Sequence, residues 1–259
     1  MLLTADIGNT NITLGLFDGN KLFGEYRIDS HPIRTAAHYS RQTGRLLKEH
    51  RVDFSAVTGV AIGSVVPKLT EPFVQMTRTV FGYDPVVVTS ELNLGLELLV
   101  DNPAEVGADR LCNAVAAGML YPKPCIVADL GTATTFDVLD QDGNYIGGAI
   151  APGLVTAAGD LFRKAAKLYR IDLEFPPHVI GKNTTAHMQS GILIGHLAMI
   201  EGMVRRIAAE LNLPQIFVIA TGGLSEVVAS HSSLINVTDP RLTLDGLRLI
   251  FEMNTDESR

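Results

Sequence analysis

A repeat limits what this chain can fold into more than any other feature. From Asp6 the sequence reads DIGNTNITLGLFDGNKLFG, and from Asp129 it reads DLGTATTFDVLDQDGNYIGG. With one residue inserted, Asp6 and Gly8 align with Asp129 and Gly131, and Asp18-Gly19-Asn20 aligns with Asp142-Gly143-Asn144. Each copy reads as a strand, a tight Asp-x-Gly turn, a second strand, an Asp-Gly-Asn hairpin and a third strand. Two copies predict a duplicated domain, with one domain over 1–117 and the other over 118–259, and a boundary near residues 118–123.

Strand-like runs recur at 1–7, 12–17, 22–28, 57–62, 86–89, 125–129, 134–139, 145–151 and 216–220, and helix-period segments lie at 35–50, 68–81, 106–120, 155–166 and 185–211. Three close strands followed by helix–strand alternation predict an α/β protein with mixed sheets and helices on their faces. With 46% hydrophobic and 19% charged residues, 259 residues suffice for a sizeable core. The net charge is −7 and no long run of Lys and Arg occurs, so no nucleic-acid partner is expected. Cys112 and Cys125 lack metal-ligand spacing and read as core thiols of a reducing compartment. The N-terminal MLLTADIGNT reaches Asp6 before a long apolar run can form, so it reads as a strand and not as a signal peptide. No stretch of about 18 apolar residues predicts a membrane span. A cytoplasmic location is the default expectation.

The two turns carry the chemistry. A glycine in Asp6-Ile7-Gly8-Asn9-Thr10 permits a backbone angle that brings amides close to an anion, and Asn9, Thr10 and Asn11 add neutral donors. Asp6 can hold a hydrated divalent cation. The second turn offers Gly131 with Thr132, Thr134 and Thr135, and Asp129 takes the part of Asp6. Either turn alone reads more readily as an ordinary Asp-Gly turn. Duplication at matching positions favours a clamp for ATP and its Mg2+, with Asp6 on the metal side, across an interdomain cleft. Gly181-Lys182-Asn183-Thr184 resembles the end of a phosphate-binding Walker loop, but Pro176 stands where that loop needs glycine.

Thr221-Gly222-Gly223 follows a strand-like run and precedes a helix. It reads either as a plain strand-to-helix turn or as a place for the flat part of a nucleotide. Gly107-Ala108-Asp109-Arg110 opens a helix, where an acid beside a guanidinium reads as capping and a surface ion pair, or as chemistry. In the second reading Asp109 accepts a proton from an acceptor hydroxyl and Arg110 steadies charge on the phosphoryl group.

Together, DIGNT at Asp6, GSVVP at Gly63, NPAEVGADR at Asn102, DLGTATTFD at Asp129, GGAIAPG at Gly147, HMQSG at His187, TGG at Thr221 and LTLDGL at Leu242 resemble the type III pantothenate kinases. The resemblance implies two duplicated ribonuclease-H-like domains of the actin-like ATPase kind, and phosphorylation of pantothenate to 4′-phosphopantothenate, the first step of coenzyme A synthesis. It puts the first phosphate motif on Asp6 to Thr13 and the second on Asp129 to Thr135. Asp129 is then the ligand of a monovalent cation, K+ or NH4+, and Thr132 touches ATP. It puts the pantothenate motif on Gly107, Ala108, Asp109 and Arg110, with Asp109 as proton acceptor, and gives Thr184 a contact with pantothenate. Val100 stands where family members commonly carry a pantothenate-contacting tyrosine, so that hydroxyl is missing here. The resemblance also implies a homodimer. Two other classes share parts of this pattern: a regulatory binding protein that has lost catalysis, and an actin-like phosphatase or sugar kinase with the clamp but a different acceptor. Intact Asp6, Asp109, Arg110 and Asp129 speak against the first, and the GADR segment against the second.

Overall fold

In the computed structural model, which describes residues 1–255, the repeat extends well beyond the two matching strings. Strand β1 (Leu2–Ile7) pairs antiparallel with β2 (Asn11–Asp18), which pairs antiparallel with β3 (Lys21–Asp29). On the other side of β1 lies β4 (Gly59–Ser64), parallel to it, and then β5 (Val86–Val87), giving the order β3-β2-β1-β4-β5. The second sheet uses β6 (Cys125–Leu130), β7 (Ala133–Leu139), β8 (Tyr145–Pro152), β9 (Phe217–Thr221) and β10 (Val237–Thr238) in the same order, read from the other edge.

Registers repeat as well. Asp6 pairs with Thr13 and Ile7 with Ile12; Asp129 pairs with Thr135 and Leu130 with Thr134. Across the parallel ladders Asp6 faces Gly63 and Asp129 faces Thr221. Even the bulges coincide, at Leu16/Phe17 and at Val138/Leu139, each three residues back along β1 or β6 from its aspartate. β1 and β6 are buried on both faces, which is why they read as near-continuous apolar runs, and Asp6 and Asp129 are their half-exposed positions.

Helices α1 (Ala36–Glu49), α2 (Pro67–Phe81) and α3 (Ala108–Leu120) belong to the first repeat. Helices α4 (Leu154–Lys164), α5 (Thr184–Gln189), α6 (Gly195–Glu210), α7 (Ser225–Ala229) and α8 (Leu242–Thr255) follow in the second, with one π turn (Ser190–Ile194) joining α5 to α6. α1 and α2 bury Tyr39, Leu46, Leu47, Leu69 and Phe73 against Leu3, Ile7, Ile12 and Leu14, with the Tyr39 and Phe73 rings 4.4 Å apart. In the second sheet Ile126, Phe136, Val138 and Val218 pack with Ile200 and Val204 of α6.

The chain forms two compact units: Met1–Tyr121 together with the C-terminal stretch from Arg241, and Pro122–Pro240. The contiguous division 1–117 and 118–259 does not describe these units, because α8 returns to the first sheet and packs on β1, β4 and α3. Glycine makes this possible. A side chain on Gly59 would collide with Phe251, and side chains on Gly15 and Gly63 would crowd Leu244 and Leu247 at 3.1 Å, so the sheet presents a smooth floor to one stripe of α8. Gly246 lies against the backbone of Cys112 in α3, and beside that crossing Thr243 Oγ1 donates to the buried Asn113 Oδ1 at 2.8 Å.

A methyl group at 246 has nowhere to go. We expect Gly246→Ala to cost about 1–3 kcal/mol, the usual range for overpacking, seen as a lower midpoint in thermal melts of the first unit. An unchanged midpoint would mean the α3–α8 crossing is looser than described.

Candidate active site

Each repeat ends its first strand with an aspartate and turns sharply back. In the first turn Gly8 N–H donates to the Asn11 carbonyl at 3.0 Å. The fully buried Ser30, just past β3, holds this turn from behind: its N–H donates to the Thr10 carbonyl at 2.9 Å and its hydroxyl to the Gly8 carbonyl at 2.6 Å. Asn9 and Thr10 at the tip are exposed, and Asn11 and Thr13 half-buried. In the second turn Gly131 N–H donates to the Ala133 carbonyl at 3.0 Å. The Thr132 carbonyl accepts from Gly153 N–H at 3.1 Å and from Thr156 Oγ1 at 2.7 Å. Gly131 and Thr132 are exposed.

The glycines differ from expectation. Neither Gly8 nor Gly131 has a positive φ. Gly8 is needed for space, since a Cβ there would lie 3.1 Å from the Asn11 carbonyl oxygen, whereas at Gly131 a Cβ would meet nothing closer than 3.6 Å. The glycine in the left-handed region is Gly222, at φ 86°, and its Cβ would sit 2.5 Å from Asp129 Oδ1. The structure therefore brings the Thr221-Gly222-Gly223 motif beside Asp129.

Thr135 shares a face of the sheet with Asp129, its cross-strand partner. Its Oγ1 is buried without a hydrogen-bond partner among the described residues. Carboxylate oxygen and an unfilled hydroxyl are hard oxygen ligands of the kind a bound cation uses. Thr134 is buried and its Oγ1 lies 3.0 Å from Nε2 of His196 on α6; burial lowers the pKa of that imidazole.

In the first unit α3 begins at Ala108 with Gly107 as its N-cap. Gly107 has no side chain to obstruct the Asp109 carboxylate, whose Oδ1 would stand 2.6 Å from a Cβ at 107 and accepts from Arg110 N–H at 2.8 Å. Burial raises the Asp109 pKa, outweighing that hydrogen bond and the Arg110 charge, which pull it down. One turn further, the fully buried Cys112 thiol lies over Gly63, the residue beside Asp6 in the ladder. Its pKa is pushed well up, first by burial and then by the charges of Asp6 and Asp109.

Val100 is half-buried in the segment between β5 and α3. Thr184 opens α5 in the other unit, after an Asn183 cap that accepts from Ala186 N–H at 2.9 Å. It lines a cavity of about 590 Å3 with Leu154, Leu161, Met188, Ile192 and His196. Ser30, Thr156 and His196 carried no signal in the sequence: each is one polar residue in a segment read only for its period.

Two open hairpins with half-exposed carboxylates, each at the end of the first strand of a repeated five-stranded sheet, are built on the actin-like ATPase fold. The fold is shared with a ROK hexokinase from Thermus thermophilus (TM-score 0.54, 12% identity, 99% of both chains) and with a protein described as a Baf family transcriptional activator from Campylobacter jejuni (TM-score 0.63, 16% identity, 98% of this chain and 99% of that one). A family model for type III pantothenate kinase matches residues 2–206, and a type III pantothenate kinase from Roseiflexus sp. (strain RS-1) is 48% identical over 254 residues, 98% of this chain and 99% of that protein. The chain belongs to the type III pantothenate kinase family.

The raised Asp109 pKa has a sign that can be tested. Its carboxyl is easier to bury protonated, so its contribution to stability is complete below the unfolded pKa of about 3.9 and is lost as pH rises through the folded value. Asp109→Asn should therefore melt no lower than the parent at pH 7, and its advantage should shrink on acidification. A variant markedly less stable at pH 7 would make Asp109 a structural cap.

Proposed function

We propose that this protein phosphorylates pantothenate with ATP, giving 4′-phosphopantothenate and ADP at the entry to coenzyme A synthesis. The observation that carries the reading is the Asp109 carboxylate, folded over Gly107 at the first turn of α3, with its pKa raised by burial. A general base works best with a pKa near the operating pH, and burial moves Asp109 in that direction. In the proposed step Asp109 takes the proton of the substrate's primary hydroxyl. That oxygen forms a bond to the γ-phosphorus, and the bond to the β-γ bridging oxygen breaks with its electron pair leaving on ADP. Arg110 steadies the negative charge on the phosphoryl oxygens in flight.

Phosphate contacts are assigned to Gly8, Asn9, Thr10, Asn11 and Thr13 in the first unit, and to Gly131, Thr132, Thr134 and Thr135 in the second. Gly222 and Gly223 are assigned to the nucleoside: Gly223 offers it open space, and Gly222 lets the turn close against Asp129 and Leu130. Asp6 fits a Mg2+ ion that arrives with ATP, since one carboxylate among neutral donors leaves most of the coordination to phosphate oxygens and water. Asp129 with the unfilled Thr135 hydroxyl fits a monovalent cation, K+ or NH4+. These ions, when bound, neutralise charge on the triphosphate. Gly107, Ala108, Asp109, Arg110 and Thr184 are assigned to pantothenate, and Val100 offers it an apolar wall. A homodimer and a cytoplasmic location belong to the same reading.

ADP release measured with and without pantothenate tests the reaction. Asp109→Asn should lower kcat by roughly 10²–10⁴-fold, the range for a positioned general base, and should remove the acid limb of the pH profile, which in the parent falls as pH drops through the raised Asp109 pKa. Near-normal turnover in the variant sinks the mechanism. Full activity with sodium as the sole monovalent cation removes Asp129 from its assignment.

A further inference from the structure

Both hairpin tips are held from behind in the same way. Ser30 follows β3 and Gly153 follows β8, and each sends its N–H to the tip carbonyl of its own repeat, Thr10 at 2.9 Å and Thr132 at 3.1 Å. In each repeat a hydroxyl then adds a second bond to a tip carbonyl. Ser30 Oγ reaches Gly8 at 2.6 Å, and Thr156 Oγ1, from the first turn of α4, reaches Thr132 at 2.7 Å. The two hydroxyls come from different residues at different places in the repeat. Duplication of the sequence strings does not account for that match.

We infer that Ser30 and Thr156 are positioning residues that fix the peptide planes of the two hairpin tips for binding ATP phosphates. The inference rests on the assignment of these hairpins to ATP made above. The Thr132 carbonyl, held by two donors, cannot rotate without breaking both, and in the first hairpin Ser30 holds the Thr10 and Gly8 carbonyls by one bond each, so the amides and side chains of both tips stay oriented before the anion arrives. Preorganised donors bind an anion better because no ordering cost is left to meet at the moment of binding. Neither hydroxyl is placed to touch substrate in this account; each acts through a backbone carbonyl.

Thr156 gives the cleaner test because it is exposed and its side chain can be changed without disturbing a core. Losing one hydrogen bond to a tip carbonyl should raise the KM for ATP by roughly fivefold, the equivalent of a typical single bond of about 1 kcal/mol. Thr156→Val and Ser30→Ala should each do so, with the KM for pantothenate unchanged, and Thr156→Ser should restore the parent value. Gly131→Ala serves as the control for the assignment itself, since its new methyl group has ordinary room in the free protein and would meet only the nucleotide. If Gly131→Ala weakens ATP binding while Thr156→Val and Ser30→Ala leave the KM for ATP unchanged, the brace is wrong and the hairpin assignment stands. If none of the three alters ATP binding, both fall. Equal rises in KM for ATP and pantothenate, not rescued by Thr156→Ser, would make these residues general scaffolding and overturn the inference.

Discussion

A strand buried on both faces can carry a charge only where it leaves the sheet, because an ionised carboxylate taken out of water in mid-strand costs several kcal/mol unless it is paired. β1 and β6 obey that constraint at Asp6 and Asp129, each the next-to-last residue of its strand and each half-exposed. The remainder of the site is built outward from there. The antiparallel partner sets a threonine beside each aspartate, and the parallel partner brings Gly63 or Thr221 to its other side. The turn after the strand and the helix start after β4 or β9 are thereby forced to the same end of their sheet.

Asp109 meets the opposite demand. A helix N-terminus favours a carboxylate, yet burial dominates here and raises its pKa. Nearby Cys112 adds no third charge, because burial first, and then the charges of Asp6 and Asp109, keep it a thiol. A buried carboxyl and a strand-end carboxylate can then share one neighbourhood.

Much of this was legible in the residues. The paired Asp-x-Gly turns, the Asp-Gly-Asn hairpins and the GADR helix start depend on local chain chemistry, and local chemistry is what a sequence displays. Gly19 and Gly143 do adopt the positive φ that such hairpins need. β10, at two residues, is too short for a period. α8 carries a clear apolar stripe, but its destination depends on glycines some 180 to 230 residues earlier that merely leave room. Gly8 and Gly131 occupy their turns for reasons other than the obvious one. One is there for clearance and the other leaves an approach open, and neither for a left-handed backbone. The bonds from Ser30 and Thr156 are tertiary facts with no local signature.

The return of α8 to the first sheet has a consequence for how the chain is made. A ribosome delivers β1 long before α8, yet Leu244, Leu247 and Phe251 cover the glycine floor of β2 and β4. The half synthesised first therefore waits, with one face of its sheet uncovered, until the other half has emerged. Folding of the two halves is coupled through the order of synthesis, and a chain interrupted before Leu244 would carry its damage in strands far earlier in its sequence.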